Sequence, residues 1–223
     1  MSEFNLPNAL PQIGFGTYLI PNDEAAIAVS TALEIGYRHV DTAEGYRNEG
    51  GVGSAISAAK KSLGLSRSDI FVTTKLWPGN PEWGMETKDY NETVISLDNS
   101  LKKLGLDYVD LYLIHAPFAV TDRIEQWRAC CDQKKAGKVR FVGVSNYSEP
   151  HIAEIVSSGL PIPDANQIEL HPWCQKPDLT NFLKKNNIDV IAYSSLMPLA
   201  NWRDKPGQDS AKSDKLRQDG AAS

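Results

Sequence analysis

The chain has 223 residues, 41% hydrophobic and 23% charged, with a formal net charge of -5, which allows one domain with a sizeable core and argues against nucleic acid as a partner. No apolar run approaches the roughly 20 residues needed to span a bilayer. Met1-Ser2-Glu3-Phe4-Asn5 lacks the basic start and apolar segment of a secretion signal, so the expected setting is the cytoplasm and the expected partner a small molecule.

In chain order, a small N-terminal extension leads to Gly14-Phe15-Gly16-Thr17, a first short strand whose glycines suit a close backbone approach. Asp23 is expected to cap a helix running through Ile35, with Gly36 as its stop. A strand ending at Asp41 follows, then a helix over about 48–61 and a strand ending at Lys75. The stretch 77–84, rich in Trp, Pro and Gly, reads as a loop. A long helix is expected over about 88–104, where Val94, Leu97, Leu101 and Leu104 recur at three and four. Next come a strand from Val109 to Ile114 that runs into His115, a helix near 124–136, and an apolar run from Val139 to Val144 that ends in Ser145-Asn146. A helix over 149–157, a strand over 165–169, a helix near 179–185 and a strand over 189–193 complete the pattern. The three cysteines include an adjacent pair, Cys130 and Cys131, in a helical stretch. Reduced buried thiols fit this placement, and no metal or redox spacing is present.

About seven strand-like runs alternate with six helical ones, so the strands run parallel and the α/β fold is expected to be a (β/α)8 TIM barrel. The pattern stops one unit short. A whole barrel of this type takes about 250 residues, and after Trp202 little apolar remains. We therefore expect residues 1–223 to form a single, incomplete barrel domain, truncated before the eighth strand, with about 201–223 as a polar loop or tail.

The stretch HVDTAEGY, residues 39–46, supplies a carboxylate, Asp41, at a strand end and a phenol, Tyr46, five positions on. Lys75 and His115 end the next two strands. Successive strands are neighbours in such a barrel, so these four side chains should share one rim. A nearby Lys75 ammonium would lower the phenol's pKa, Asp41 would keep Lys75 charged, and His115 would orient a carbonyl oxygen. None of the four is a hydride source, so a reductant must come from outside. Taken singly, each has a plain structural explanation. His39, His151 and His171 share no metal spacing and read as structural or surface residues. Tyr18, Trp77 and Trp83 are candidates to line an apolar substrate pocket.

These residues, with GFGT, HVDTAEGY and the following Asn48-Glu49, TTKLW, DLYLIH, GVSN, NQIELHP and AYSSL, resemble the aldo-keto reductases in order along nearly the whole chain to about residue 200. The resemblance implies reduction of an aldehyde, ketone or sugar by a monomeric enzyme that uses NADPH, with NADH kept open. It implies Tyr46 as proton donor, Asp41 and Lys75 as its tuning pair, and His115 as the residue that orients the substrate, beside the pocket candidates Tyr18 and Trp77. It further implies cofactor contacts from Thr17, Asp41, Ser145, Asn146, Gln167, Tyr193, Ser194 and Leu196. Tyr193 would stack on the nicotinamide, and Ser194 and Leu196 would lie along the pyrophosphate.

There are two departures from the family pattern. Ala116-Pro117-Phe118 follows the histidine where many members have Trp, leaving one pocket wall open or filled by Phe118. The family's segment for the adenosine 2'-phosphate lies beyond the end of this sequence. Two rival readings remain: a catalytically silent barrel that binds a nucleotide or partner protein, and a barrel enzyme that uses Lys75 as a Schiff-base amine.

Overall fold

Seven strands lie parallel in the order β1-β2-β3-β4-β5-β6-β7, each joined to the next through a helix. They are β1 (Phe15–Gly16), β2 (His39–Asp41), β3 (Phe71–Leu76), β4 (Val109–Ile114), β5 (Val139–Ser145), β6 (Ala165–Glu169) and β7 (Asp189–Tyr193). The helices are a short α1 (Leu6–Ala9), then α2 (Asn22–Glu34), α3 (Glu49–Ser62), α4 (Tyr90–Leu104), α5 (Arg123–Lys135), α6 (Glu149–Ser157) and α7 (Pro177–Lys185). This computed structural model describes residues 6–196, and the expected polar tail at 201–223 lies outside them. The wall is that of a (β/α)8 barrel through its seventh strand. Among the described residues β1 pairs only with β2, and β7 only with β6.

The side chains alternate strictly across this wall. Along β3, Phe71 packs inside the barrel with Leu111, Leu113 and Phe141, Thr73 meets His39, and Lys75 meets Asp41. Val72 and Leu76 pack outward into the layer beneath the helices, and Thr74 reaches Glu49 on α3. A strand buried on both faces thus carries period two in its contacts even where its sequence is apolar throughout. The same alternation turns Leu111 and Leu113 of β4 inward and Tyr112 and Ile114 outward. Leu6, from α1, joins the inner cluster, with Ala9 and Leu10 packed against it, so this short helix closes on the barrel interior.

The helix starts differ from the sequence expectation for identifiable reasons. Helix α2 begins at Asn22, with Pro21 before it and Asp23 in its first turn rather than at its cap. The Asn22 carboxamide oxygen accepts the Gly51 N–H at 2.8 Å, fastening the start of α3. A Cβ at Gly51 would come within 1.9 Å of the Asn22 carbonyl oxygen, so only glycine permits this approach. Helix α4 starts at Tyr90 because Asp89 and Glu92 form a reciprocal capping box. Helix α7 starts two residues before the expected Leu179, at Pro177, where the ring removes an N–H that has no helical partner anyway.

Candidate active site

Strand register lifts the inward-facing polar groups to one rim. Asp41 pairs with Thr73 across β2–β3, and Lys75 pairs with Leu113 across β3–β4. Asp41, Lys75 and His115 therefore climb by two residues from each strand to the next, all on the inner face. Tyr46 ends a 3-10 turn, Glu44–Tyr46, which closes through Arg47 at φ 58°. Asn48 fixes the far side of that turn: its amide donates to the Thr17 and Ile20 carbonyls at 2.8 and 2.9 Å, and its oxygen accepts from the Thr42 hydroxyl at 2.7 Å.

The four expected side chains meet. Lys75 is fully buried and directs its ammonium to the Asp41 carboxylate, to the Thr42 carbonyl at 3.0 Å and to the Tyr46 hydroxyl at 3.3 Å. Three N–H groups thus have three acceptors. The second Asp41 oxygen accepts from the Gln167 amide at 2.8 Å, a bond that crosses the barrel from β6 to β2. The His115 ring lies 5.4 Å from the Tyr46 ring and 5.7 Å from that of Trp77, edge-on to both. Its Nδ1 is buried with no hydrogen-bond partner.

The electrostatics correct one expectation. Burial raises the Tyr46 pKa, and the Lys75 ammonium, which pulls it down, does not overcome that effect. Tyr46 is therefore a phenol at neutral pH, not a ready phenolate. For Lys75, burial favours the neutral amine, but Asp41 and Tyr46 together outweigh it and the pKa is raised. A charged ammonium with every N–H engaged is unsuited to Schiff-base attack, which needs a free neutral amine. Burial, assisted by Lys75 and opposed by Asp41, lowers His115 to about 4, so its ring is neutral at pH 7.

An aromatic wall stands beside this cluster. Trp77 stacks on Trp83 with centroids 5.9 Å apart, and Phe118 packs against both, at 6.0 Å from Trp77 and 5.5 Å from Trp83. Phe118 thus occupies the wall that its Ala-Pro-Phe context had left in question. Tyr18 lies 5.1 Å from Tyr46 and is more than half exposed.

The residues expected at the cofactor form a second group on β5–β7. Ser145 donates to the Gln167 carbonyl at 3.0 Å, the Asn146 amide donates to Ser145 Oγ at 3.1 Å, and the Tyr193 hydroxyl donates to Asn146 Oδ1 at 2.8 Å. Asn146 also reaches the His115 carbonyl at 3.0 Å, which links the two groups. Thr17 is fully buried and its hydroxyl donates to the Asp41 carbonyl at 3.0 Å, so its side chain faces the scaffold. Ser194 adopts φ 54° just past β7, and Leu196 is 72% exposed. Sequence reasoning missed Glu44, whose carboxylate ties the Tyr46 turn to the β3–α4 loop. An acid two residues before the phenol was visible, but its partners lie 33 and 44 positions away.

Both adjacent cysteines, Cys130 and Cys131, are buried in α5, where burial pushes the Cys131 thiol up to about 11 and Cys130 further still. His39 is buried and bonded to Thr73 at 3.0 Å. Among the described residues no cluster of His, Cys, Asp or Glu could hold a metal ion, and no helix is long and apolar enough to cross a membrane.

Fold and site together define a (β/α)-barrel protein with its titratable cluster at the carboxyl ends of successive strands. The chain belongs to the Aldo/keto reductase family, whose profile matches residues 12–219. It is 39% identical to the glycerol 2-dehydrogenase (NADP(+)) of Saccharomyces cerevisiae, with 87% of this chain and 67% of that protein covered. It is 37% identical to the methylglyoxal reductase DkgA of Escherichia coli O157:H7, with 85% and 64% covered. The crystal structure of a Bombyx mori aldo-keto reductase in complex with NADP superposes with a TM-score of 0.78 at 34% identity, covering 93% of this chain and 73% of that one. The chain thus spans about two-thirds of the length of these curated relatives.

Proposed function

We propose that the protein reduces a small aldehyde or ketone to an alcohol, with NADPH as reductant and Tyr46 as proton donor. The observation that carries this reading is the orientation of the Tyr46–Lys75 bond. Lys75 donates to the phenol oxygen at 3.3 Å, so the phenol's own hydrogen is left for a substrate oxygen.

The donor set on β5–β7 suits a nicotinamide carboxamide. Two side-chain amides, Asn146 and Gln167, and one hydroxyl, Ser145, can exchange hydrogen bonds with an amide ligand, and the Tyr193 ring offers a flat apolar face beside them. When bound, a reduced nicotinamide supplies the hydride. The protein's residues do the rest. His115, neutral and with Nδ1 buried, donates from its other ring nitrogen to the carbonyl oxygen and fixes its direction. As negative charge develops on that oxygen, Tyr46 gives up its proton and the phenolate left behind is stabilised by the Lys75 ammonium 3.3 Å away. Asp41 keeps that ammonium charged. The wall of Trp77, Trp83 and Phe118 offers an apolar face that favours substrates with an apolar or aromatic body.

The kin named for methylglyoxal reduction and for glycerol oxidation with NADP(+) handle small oxygenated carbon compounds, which supports this reaction class. The test is NADPH oxidation with nitrobenzaldehyde as a generic substrate, in the wild type and Tyr46→Phe. Turnover that survives unchanged in the variant overturns the proton-donor assignment. NADPH binding without turnover of any carbonyl in the wild type would instead favour the silent nucleotide-binding barrel.

A further inference from the structure

The phenol at the centre of the site sits on a weak piece of secondary structure. The 3-10 turn Glu44–Tyr46 is three residues long and is closed only by Tyr46 N–H to Ala43 O at 3.0 Å and Arg47 N–H to Glu44 O at 3.2 Å. Such a turn is marginal by itself, so its placement must come from tertiary ties. One tie is Asn48, on the scaffold side. At the phenol end Lys75 and the rings of Tyr18 and His115 meet Tyr46; at the start of the turn the tie is the Glu44 carboxylate, which accepts the Trp77 backbone N–H at 3.0 Å and takes the Lys88 ammonium on both oxygens at 2.7 Å. Lys88 is itself fixed. Its carbonyl and that of Pro78 accept from the Gln126 amide on α5, at 2.9 and 3.0 Å, and its N–H donates to the Pro78 carbonyl at 3.1 Å. Glu44 and Lys88 are only about a fifth to a quarter exposed, a setting in which an ion pair gains more than it does on an open surface.

We infer that the Glu44–Lys88 pair is a strap that positions the Tyr46 turn and the Trp77 wall over His115 and Lys75. Glu44 touches neither the reacting atoms nor the cofactor residues and is a positioning residue. One carboxylate holds two elements at once, the turn that carries the phenol and the first residue after β3. Both rings lie edge-on to His115, so a change at Glu44 reaches all three. The inference deepens the proposed carbonyl reduction and rests on it for its kinetic readout. Its structural readout, the titration of Tyr46, does not depend on that reaction.

The groups that face Tyr46 are Lys75, Asp41, Tyr18 and His115. Burial is what raises the phenol's pKa, so a turn released toward solvent should titrate nearer the ordinary 10. The experiment records phenolate absorbance against pH for the full chain, Glu44→Ala, Glu44→Gln and Lys88→Met. Each is paired with its Tyr46→Phe counterpart so that the difference isolates Tyr46. We expect the Tyr46 titration to move down in Glu44→Ala and, less, in Lys88→Met. Glu44→Gln, whose amide oxygen can still accept from the Trp77 N–H, should recover most of the wild-type curve. In the same order, kcat for nitrobenzaldehyde should fall by roughly 10- to 100-fold in Glu44→Ala, as displacement of a reacting group demands, with NADPH affinity from tryptophan quenching unchanged. An unmoved Tyr46 titration in folded Glu44→Ala and Lys88→Met overturns the strap. If Glu44→Ala does not fold, Lys88→Met and Glu44→Gln decide by the same curves. A shifted titration in a chain that reduces no carbonyl supports the strap and overturns the proposed reaction.

Discussion

Strands β4 and β7 have similar lengths and similar apolar content, yet all six residues of β4 are buried and none of the five in β7 is. The difference is one of neighbours. Strand β4 has β3 and β5 on its two sides and helices over its outer face, whereas among the described residues β7 pairs only with β6. The four side chains proposed to handle the proton come from β2, β3 and β4 and the loop above them, where Lys75 is fully enclosed. Tyr193, Ser194 and Leu196, proposed for the cofactor, belong to β7 and its exit. The acid side is therefore held in place by the sheet itself, whereas the side proposed for the cofactor has fewer strand neighbours among the described residues.

The largest break in that comparison should come from Tyr46→Phe. General acid catalysis contributes about 100- to 10,000-fold, so kcat should fall by that order while NADPH quenching of tryptophan fluorescence stays as in the wild type. Next, matched truncations should cost unequal stability. Leu113→Ala in β4 removes a fully buried side chain and should cost about 2–5 kcal/mol, whereas Val190→Ala in β7, where the side chain is only partly buried, should cost about 1 kcal/mol or less. Urea midpoints for the two variants check the ranking, and equal losses would mean that β7 is as firmly held as β4.

A third effect is pH dependence on the enclosed side. The folded His115 pKa is lowered to about 4 from 6.5, so the unfolded chain binds the proton more readily between those values. The stability contribution is complete above about pH 6.5, falls as pH drops through the window, and levels off below about 4. The full amount is roughly 3 kcal/mol at most. Burial lowers His39 in the same direction, so His115→Asn should remove part of the acid-induced loss measured by urea unfolding at successive pH values. The smallest effect belongs to the open side. Tyr193→Phe deletes one hydroxyl bond to Asn146 and keeps the ring, so NADPH affinity should weaken by no more than about 10-fold. A larger loss in a fluorescence titration would show that the β7 group is built more rigidly than its exposure suggests.

Much of this was legible because period and order leave few choices. Alternating strands and helices of this length force a parallel sheet in sequence order, and polar residues at the ends of buried strands then have only the rim to occupy. Asp41, Lys75 and His115 followed from that reasoning, with Tyr46 five positions past Asp41 in the loop above them, and the family resemblance singled out Tyr46 as the proton donor. The direction of the Tyr46 shift was not legible. Proximity to an ammonium argued for a lowered pKa, but the depth of burial, a sum over many side chains from distant segments, decided the sign. Nor was Gln167 seen as a partner of Asp41, since the bond joins residues 126 positions apart across the barrel interior. The Glu44–Lys88 pair was hidden for the same reason: charge patterning along a sequence reports neighbours on one element, not across two loops.

The sequence alone determined the element order, the parallel winding and which residue types reach the rim, because backbone periodicity and strand adjacency are local or topological facts. The tertiary structure decided protonation states, the cross-barrel hydrogen bonds and the unequal burial of like strands. Those quantities depend on distances and desolvation summed over the whole fold, and no stretch of sequence contains that sum.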